Sequence, residues 1–129
     1  MSYLVDTSWI IEYLRNNPLA HDRLRTFRDE GLYVSVITLA ELYRGVFRSN
    51  NPERTEHGLQ DFIQGVTVLE ITSAIARLFG ELDASLRRRG TAVAELDLLI
   101  AATALQHDLT LLTKDSDFDR VENLRTISL

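Results

Sequence analysis

Residues 98–105, which read LLIAATAL, restrict the fold more than any other stretch of the chain. Every side chain in this stretch is apolar except the small hydroxyl-bearing Thr103. A helix that is apolar on all faces is buried on all faces, so this segment belongs to the interior. Asp97 stands at its entrance. Because an isolated buried carboxylate is too costly to keep charged, this acid must be paired, solvated or bound to something.

The bulk composition is that of one soluble domain. The chain has 129 residues, of which 45% are hydrophobic and 26% charged, so we expect a single domain, 1–129, with a core of its own. The absence of cysteine excludes disulfides, thiolate metal sites and cysteine nucleophiles. We find neither a secretion signal nor a membrane-spanning run, so the expected compartment is the cytoplasm.

The charge balance argues against a broad positive face for nucleic acid. The formal net charge is −5, whereas proteins held to nucleic acid by such a face are basic. The fourteen basic residues are thirteen arginines and one lysine, Lys114. The densest cationic run is Arg87–Arg89. Either the helix dipole stabilises these charges at a helix C-terminus, or they position phosphates together with Arg44, Arg48 and Lys114.

Strand and helix patterns alternate along the chain. Five strands are predicted, within residues 3–6, 32–37, 66–71, 109–113 and 124–129. Helical periodicity occupies the segments between the first four, with Thr72 as a cap and Gly31 and Gly90 as helix ends. Strands that alternate with helices favour the α/β class, with a parallel sheet covered on both faces.

Four acids are predicted to meet at one edge of this sheet. Asp6 ends the first strand, Glu41 lies one turn into the helix after the second, and Asp115 follows the fourth. Open α/β sheets bind ligands outside the carboxyl ends of their strands, and Asp97 joins them if its helix begins there. A hard divalent ion, Mg²⁺ or Mn²⁺, neutralises such a cluster. With open coordination positions, that ion activates water for phosphodiester hydrolysis.

Each acid also has a purely structural interpretation. Asp6 could cap the following helix, and Thr38 with Glu41 forms a Thr-x-x-Glu capping box. Asp97 could favour the positive end of its helix, and Asp115 could be an ordinary loop acid. Four independent caps need not fall on one rim, so the set as a whole favours a shared site.

Four motifs of the chain also occur together in one protein family. They read VDTS, TLAELYRG, LDLLIAATAL and LLTKDSDF, and they follow one another in the same order and with similar gaps. Through them the chain resembles the PIN-domain ribonucleases, specifically the VapC toxins of type II toxin–antitoxin pairs. The resemblance implies a three-layer α/β/α PIN-like domain with a five-stranded parallel sheet. It also implies a Mg²⁺- or Mn²⁺-dependent endoribonuclease neutralised by a cognate VapB-like antitoxin.

Position by position, the resemblance assigns the catalytic and metal-binding roles to four acids: Asp6, Glu41, Asp97 and Asp115. Asp6 and Asp97 are expected to bind the ion directly, and Asp115 directly or through water. Glu41 is expected to position or activate the attacking water. Thr7 or Ser8, together with Thr113, is expected to assist them. Asp117 is a weaker candidate for a fifth acid.

Substrate and partners follow from the same resemblance. The segments NPERTEHGLQDFI and RVENLRTISL are similar to members that cut the initiator tRNA, which puts tRNA among the expected substrates. Those members carry Gly and Pro before the helix acid, where this chain has Ala94 and Glu95, so the substrate preference stays open. A homodimer and no membrane contact are expected. Six residues are predicted either to line a groove that binds the antitoxin or to belong to the core: Trp9, Tyr13, Leu42, Tyr43, Val46 and Phe47.

Other functions fit the residues less well. Haloacid-dehalogenase phosphatases need a second Asp where this chain has Ser8, and receiver domains need paired acids on the first strand. The three histidines, predicted to lie in surface helices or beside turns, are His21, His57 and His107. The remaining alternative is a catalytically idle PIN-like binding module, which ranks second because all four acids are present.

Overall fold

The computed structural model describes residues 1–129 and contains a five-stranded parallel sheet and six α-helices. The strands are β1 (Tyr3–Val5), β2 (Leu32–Ser35), β3 (Thr67–Leu69), β4 (Thr110–Leu112) and β5 (Thr126–Ile127). The α-helices are α1 (Thr7–Leu14), α2 (Pro18–Glu30), α3 (Val36–Arg48), α4 (Pro52–Ile63), α5 (Ser73–Arg88) and α6 (Glu95–Gln106). A short 3₁₀ helix, Ser116–Arg120, lies in the predicted loop after β4.

The sheet places β1 at its centre, in the order β3-β2-β1-β4-β5. Leu4 pairs with Tyr33 of β2 on one side and with Leu111 of β4 on the other, and every pairing is parallel. The Asp6 N–H donates to the Leu112 carbonyl at 2.9 Å, just beyond the last residue of β1. The carboxyl ends of β1 and β4 therefore lie side by side, as the α/β prediction requires.

Two separate cores cover the two faces of the sheet. Alternate residues of a strand point to opposite faces, so Tyr3 and Val5 join one core and Leu4 joins the other. Helices α1 to α4 pack on the first core, and α5 and α6 pack on the second. The predicted α/β/α layering is confirmed.

Helix α6 is buried over most of the apolar stretch, but not on all faces as its sequence predicts. Its buried residues are Leu98, Ile100, Ala101, Ala102, Thr103 and Ala104. Leu99 and Leu105 keep partial exposure, so the interior does not enclose the whole helix. The one hydroxyl of the segment is satisfied within the helix, because Thr103 Oγ1 donates to the Leu99 carbonyl at 2.8 Å.

The boundary between β2 and α3 differs from the prediction. The strand ends at Ser35 instead of residue 37, and the helix begins at Val36. Ser35 is the N-cap, since its hydroxyl accepts the Ile37 N–H at 3.1 Å. The Thr38–Glu41 capping box is therefore wrong: Thr38 lies inside the helix, and its buried hydroxyl has no hydrogen-bond partner. The β-branched run VSVI suits both strand and helix start, and the serine cap decides between them.

The other strand boundaries differ from the prediction by at most two residues. Thr72 caps α5 as predicted by accepting the Ile75 N–H at 3.2 Å, and Gly31 ends α2 with a φ of +125° that favours glycine. Gly90, with a φ of +68°, follows α5. The remaining predicted strands are each shortened at their ends, as is common where pairing stops before the apolar run does.

Substitutions of the two candidate caps of α3 are expected to change stability differently. Ser35→Ala removes the true cap and should lower the free energy of unfolding by about 1 kcal/mol. Thr38→Val keeps the shape and removes an unpartnered buried hydroxyl, so it should leave that free energy unchanged or raise it by about 1 kcal/mol. Urea denaturation of both variants measures the difference. A larger loss in Thr38→Val than in Ser35→Ala would restore the capping box.

Candidate metal centre

Asp6 is the most buried acid of the predicted set. It follows β1 directly, and 6% of its surface is exposed. It occupies the N-cap position of α1 but makes no capping hydrogen bond with its side chain. Its Oδ2 instead accepts the Thr113 hydroxyl at 2.8 Å and the Ser8 hydroxyl at 3.3 Å. Burial raises the pKa of Asp6, and the hydrogen bond from Thr113 opposes this shift.

The loop after β4 is joined to Asp6 through Thr113. The Thr113 hydroxyl that donates to Asp6 also accepts the Asp115 N–H at 3.0 Å. Asp115 in turn caps the 3₁₀ helix, because its Oδ1 accepts the Asp117 N–H at 2.9 Å. A single threonine hydroxyl therefore sets the position of one acid relative to another across neighbouring strands.

Glu41 approaches the same edge from α3. Its Oε1 accepts the Thr7 hydroxyl at 3.1 Å, a contact between residues 34 positions apart in the chain. Burial raises the pKa of Glu41; the Thr7 hydrogen bond lowers it, and the Asp6 carboxylate raises it further. The helix after β2 thus presents its acid to the residues that follow β1.

Asp97 lies in the first turn of α6 and faces the other acids. Burial is the main reason that the pKa of Asp97 rises to about 6. Negative charge raises that pKa further, in decreasing order from Asp6, Asp115, Glu41 and Asp117. The other three predicted acids and Asp117 are therefore close enough to Asp97 to disfavour its charged form.

The donor set suits a hard divalent cation. All the candidate donors are carboxylate oxygens, which Mg²⁺ and Mn²⁺ prefer, and burial and mutual repulsion both disfavour charging the acids without a counter-ion. No three acidic or histidine side chains stand close enough together to ligate one ion as they are placed. Carboxylates about 4 Å apart repel by roughly 4 kcal/mol at an effective dielectric of 20, which favours separated side chains until a cation neutralises them.

The Thr113 hydroxyl should matter for stability as well as for geometry. Thr113→Val removes the donor to Asp6 and leaves the Asp115 N–H without its partner, so the free energy of unfolding should fall by about 1–3 kcal/mol. Thr113→Ser keeps the hydroxyl and serves as the matched control. Urea denaturation compares them, and equal losses in both variants would show that the methyl group, not the hydrogen bonds, is what counts.

Other predicted features lie outside this cluster of acids. Arg87 pairs with Asp83 at 2.9 Å and Arg89 with Glu122 at 2.9 Å, so two of the three arginines in the run have carboxylate partners. His21 stacks on Tyr13 with ring centroids 3.9 Å apart and is only partly exposed. The other two histidines, His57 and His107, are exposed as predicted.

An apolar groove runs away from the site between α1, α3 and α4. Its volume is about 460 Å³, and Thr7 and Glu41 contribute to its lining. Its apolar lining is Ile11, Leu14, Leu42, Val46 and Leu59. Of the six residues predicted for a groove, only Leu42 and Val46 line it; Trp9 is fully buried in the core and Phe47 is 66% exposed. Ile11 and Leu14 were not predicted to line the groove, because the rotation of α1 against α3 depends on tertiary packing.

None of the helices has the length and apolar character needed to cross a membrane.

Comparison with known proteins gives consistent matches. The family model of the PIN domain matches residues 3–124. The chain is 35% identical to ribonuclease VapC2 of Haemophilus influenzae, over 98% of this chain and 96% of that protein. It is 30% identical to the tRNA(fMet)-specific endonuclease VapC of Shigella flexneri, with the same coverages.

Among solved structures, the chain is similar to VapBC2 from Rickettsia felis bound to a DNA fragment from its promoter. The TM-score is 0.94 at 26% identity, over 99% of this chain and 98% of that one. The likeness extends over the full α/β architecture described above, including the strands that bring the acids together.

Proposed function

Because the chain belongs to the PIN-domain family, among the VapC ribonucleases, we propose that it is a metal-dependent endoribonuclease and the toxin of a toxin–antitoxin pair. We take residues 1–129 as one PIN domain. The observation that carries the proposal is the position of Asp97, whose carboxylate is affected by the charges of Asp6, Asp115 and Glu41 at the carboxyl edge of the sheet. An acid cluster at that edge suits an ion and a phosphodiester substrate.

Each residue of the candidate site has a separate proposed role in hydrolysis. Asp6 and Asp97 would hold Mg²⁺ or Mn²⁺, with Asp115 bound directly or through water. When bound, the ion supplies charge neutralisation at the phosphoryl group and lowers the pKa of water. Glu41 uses Oε1 to accept the Thr7 hydroxyl, which leaves Oε2 to orient the attacking water. Thr113 and Ser8 hold Asp6 through their hydroxyls.

An antitoxin is the proposed partner, as in the VapBC complex of Rickettsia felis. The apolar groove offers it a place to bind: five aliphatic side chains line it, and Thr7 and Glu41 lie at its margin. An amphipathic antitoxin segment in this groove would cover the partly exposed Ile11 and Leu14, and also Glu41. We also propose a homodimer, for which exposed Phe47, stacked near Tyr43 on α3, offers apolar surface.

RNA is the proposed substrate, and tRNA is the class to test first, since the similar protein of Shigella flexneri is a tRNA(fMet)-specific endonuclease. The antitoxin-free protein would be incubated with purified tRNA and with total RNA, in Mg²⁺, in Mn²⁺ and in EDTA. Discrete cuts that vanish with EDTA are the expected result. A folded protein that cuts no RNA would contradict the proposal and favour the idle binding module.

A further inference from the structure

Lys114 is the one lysine of the chain, and it stands between two residues of the candidate site, Thr113 and Asp115. Its backbone N–H donates to Ser8 Oγ at 3.0 Å. The Ser8 hydroxyl in turn donates to Asp6 Oδ2 at 3.3 Å. One serine side chain therefore joins the backbone of Lys114 to the buried carboxylate, which places the base of a cationic side chain beside the acids.

The ammonium of Lys114 is anchored at only one point. Its Nζ lies 3.5 Å from Glu12 Oε1, and the Lys114 side chain is 47% exposed. Glu12 is held on its other oxygen, because Asn17 Nδ2 donates to Oε2 at 2.8 Å. An ammonium has three N–H donors, so after Glu12 takes one of them the half-exposed lysine can offer others to a ligand.

Substrate electrostatics give that free capacity a use. The chain carries a net charge of −5, and the acids that surround Asp97 repel a phosphate-bearing polyanion. Phosphate contacts to cationic side chains provide much of the affinity for nucleic acids and set the position of the strand. A lysine ammonium, as a compact point charge with rotatable donors, binds phosphate oxygens without a fixed planar geometry.

We propose that Lys114 is a substrate-binding residue that contacts an RNA phosphate next to the scissile bond, with Glu12 keeping its ammonium at the rim. This inference rests on the proposed ribonuclease function. It differs from a merely structural ion pair in one respect that can be measured: the two partners of the pair should have opposite effects on RNA binding. Loss of the lysine removes an attraction for RNA, whereas loss of the glutamate charge removes a repulsion.

The test compares Lys114→Gln with Glu12→Gln by fluorescence anisotropy of labelled tRNA in EDTA, where no cleavage is expected. Lys114→Gln should weaken binding about fivefold and reduce the slope of log K against log salt by about 0.7 to 0.9, the value of one phosphate contact. Glu12→Gln should bind as tightly as wild type or more tightly. Lys114→Arg should restore binding, and in Mg²⁺ the Lys114→Gln defect should lie in KM more than in kcat.

A matched control comes from the opposite edge of the sheet. Arg125 precedes β5, is 52% exposed and pairs with Asp108 at 2.9 Å, so Arg125→Gln makes the same charge change away from the acids. Equal weakening in Lys114→Gln and Glu12→Gln, or a Lys114→Gln variant that matches Arg125→Gln, would overturn the inference while wild-type cleavage stands. A wild-type protein that neither binds nor cuts RNA would overturn both this inference and the proposed function.

Discussion

Asp97→Asn should abolish RNA cleavage and at the same time stabilise the metal-free fold. The variant keeps the size of the side chain but removes the charge that would hold the ion. Changes in residues that only support a metal ligand cost about 10–100-fold, so loss of a proposed direct ligand should cost about 100-fold or more. Cleavage of tRNA in Mg²⁺ measures this loss, and circular dichroism verifies the fold.

The stability gain follows from the direction of the pKa shift. The pKa of Asp97 is raised from 3.8 to about 6, chiefly by burial and then by the neighbouring acids. Between these two values the unfolded chain releases the proton while the folded protein keeps it, so metal-free stability falls as pH rises from about 4 to about 6. Above that range Asp97 is charged in the folded protein, and the full cost of burying this charge near other acids lowers the free energy of unfolding. Asp97→Asn removes that cost.

Thermal unfolding in EDTA at several pH values tests this sign. The unfolding midpoint of Asp97→Asn should exceed that of wild type at pH 7.5, and the gap should close as pH falls through 6 towards 4. Asp83→Asn provides a control, since Asp83 lies on α5 in an exposed ion pair with Arg87. A lower midpoint for Asp97→Asn at pH 7.5 would mean that the Asp97 carboxylate stabilises the fold and is not held there against a penalty.

Ile100→Ala should produce the largest loss of stability. Ile100 is fully buried in the core that α6 shares with Leu4, Leu86 and Phe118. Truncation removes apolar contacts and leaves a cavity, which costs about 2–5 kcal/mol. Since small proteins are stable by only about 5–15 kcal/mol in total, the variant should be close to unfolding in mild denaturant.

Leu96→Ala is the matched control for that prediction. Leu96 lies one turn earlier on the same helix and is 39% exposed, so its truncation should cost less than about 1 kcal/mol. Urea denaturation measures both variants. A loss in Leu96→Ala as large as in Ile100→Ala would contradict the burial of α6 in the second core.

The layering of the fold could be predicted from the sequence because the pattern of apolar residues indicates which segments are buried. The apolar run at 98–105 and the alternation of strands with helices predict the covered parallel sheet. The strand ends could not be predicted as well. The sequence predicts a strand through residue 37, yet β2 ends at Ser35, whose hydroxyl accepts the Ile37 N–H and caps α3. A single side-chain contact decides that boundary.

The candidate site divides in the same way. That Asp6 and Asp115 lie at the same edge of the sheet could be predicted, because the α/β pattern alone places the carboxyl ends of parallel strands together. That their strands, β1 and β4, are neighbours could not be predicted, because chain order does not fix strand order. The contacts that join the acids could not be predicted: the Thr7 hydroxyl meets Glu41 from 34 positions away. The lining of the groove by Ile11 and Leu14 likewise depends on how α1 packs against α3.

Calorimetric titration with Mn²⁺ tests the central claim most directly, because it measures the ion at the acid rim without depending on the choice of RNA. Wild-type protein and Asp97→Asn would be titrated at pH 7.5, with Asp83→Asn as the control. We expect saturable binding to wild type and to Asp83→Asn, and none to Asp97→Asn. Equal binding to all three proteins, or no binding to folded wild type, would contradict a metal centre formed by Asp6, Asp97 and Asp115.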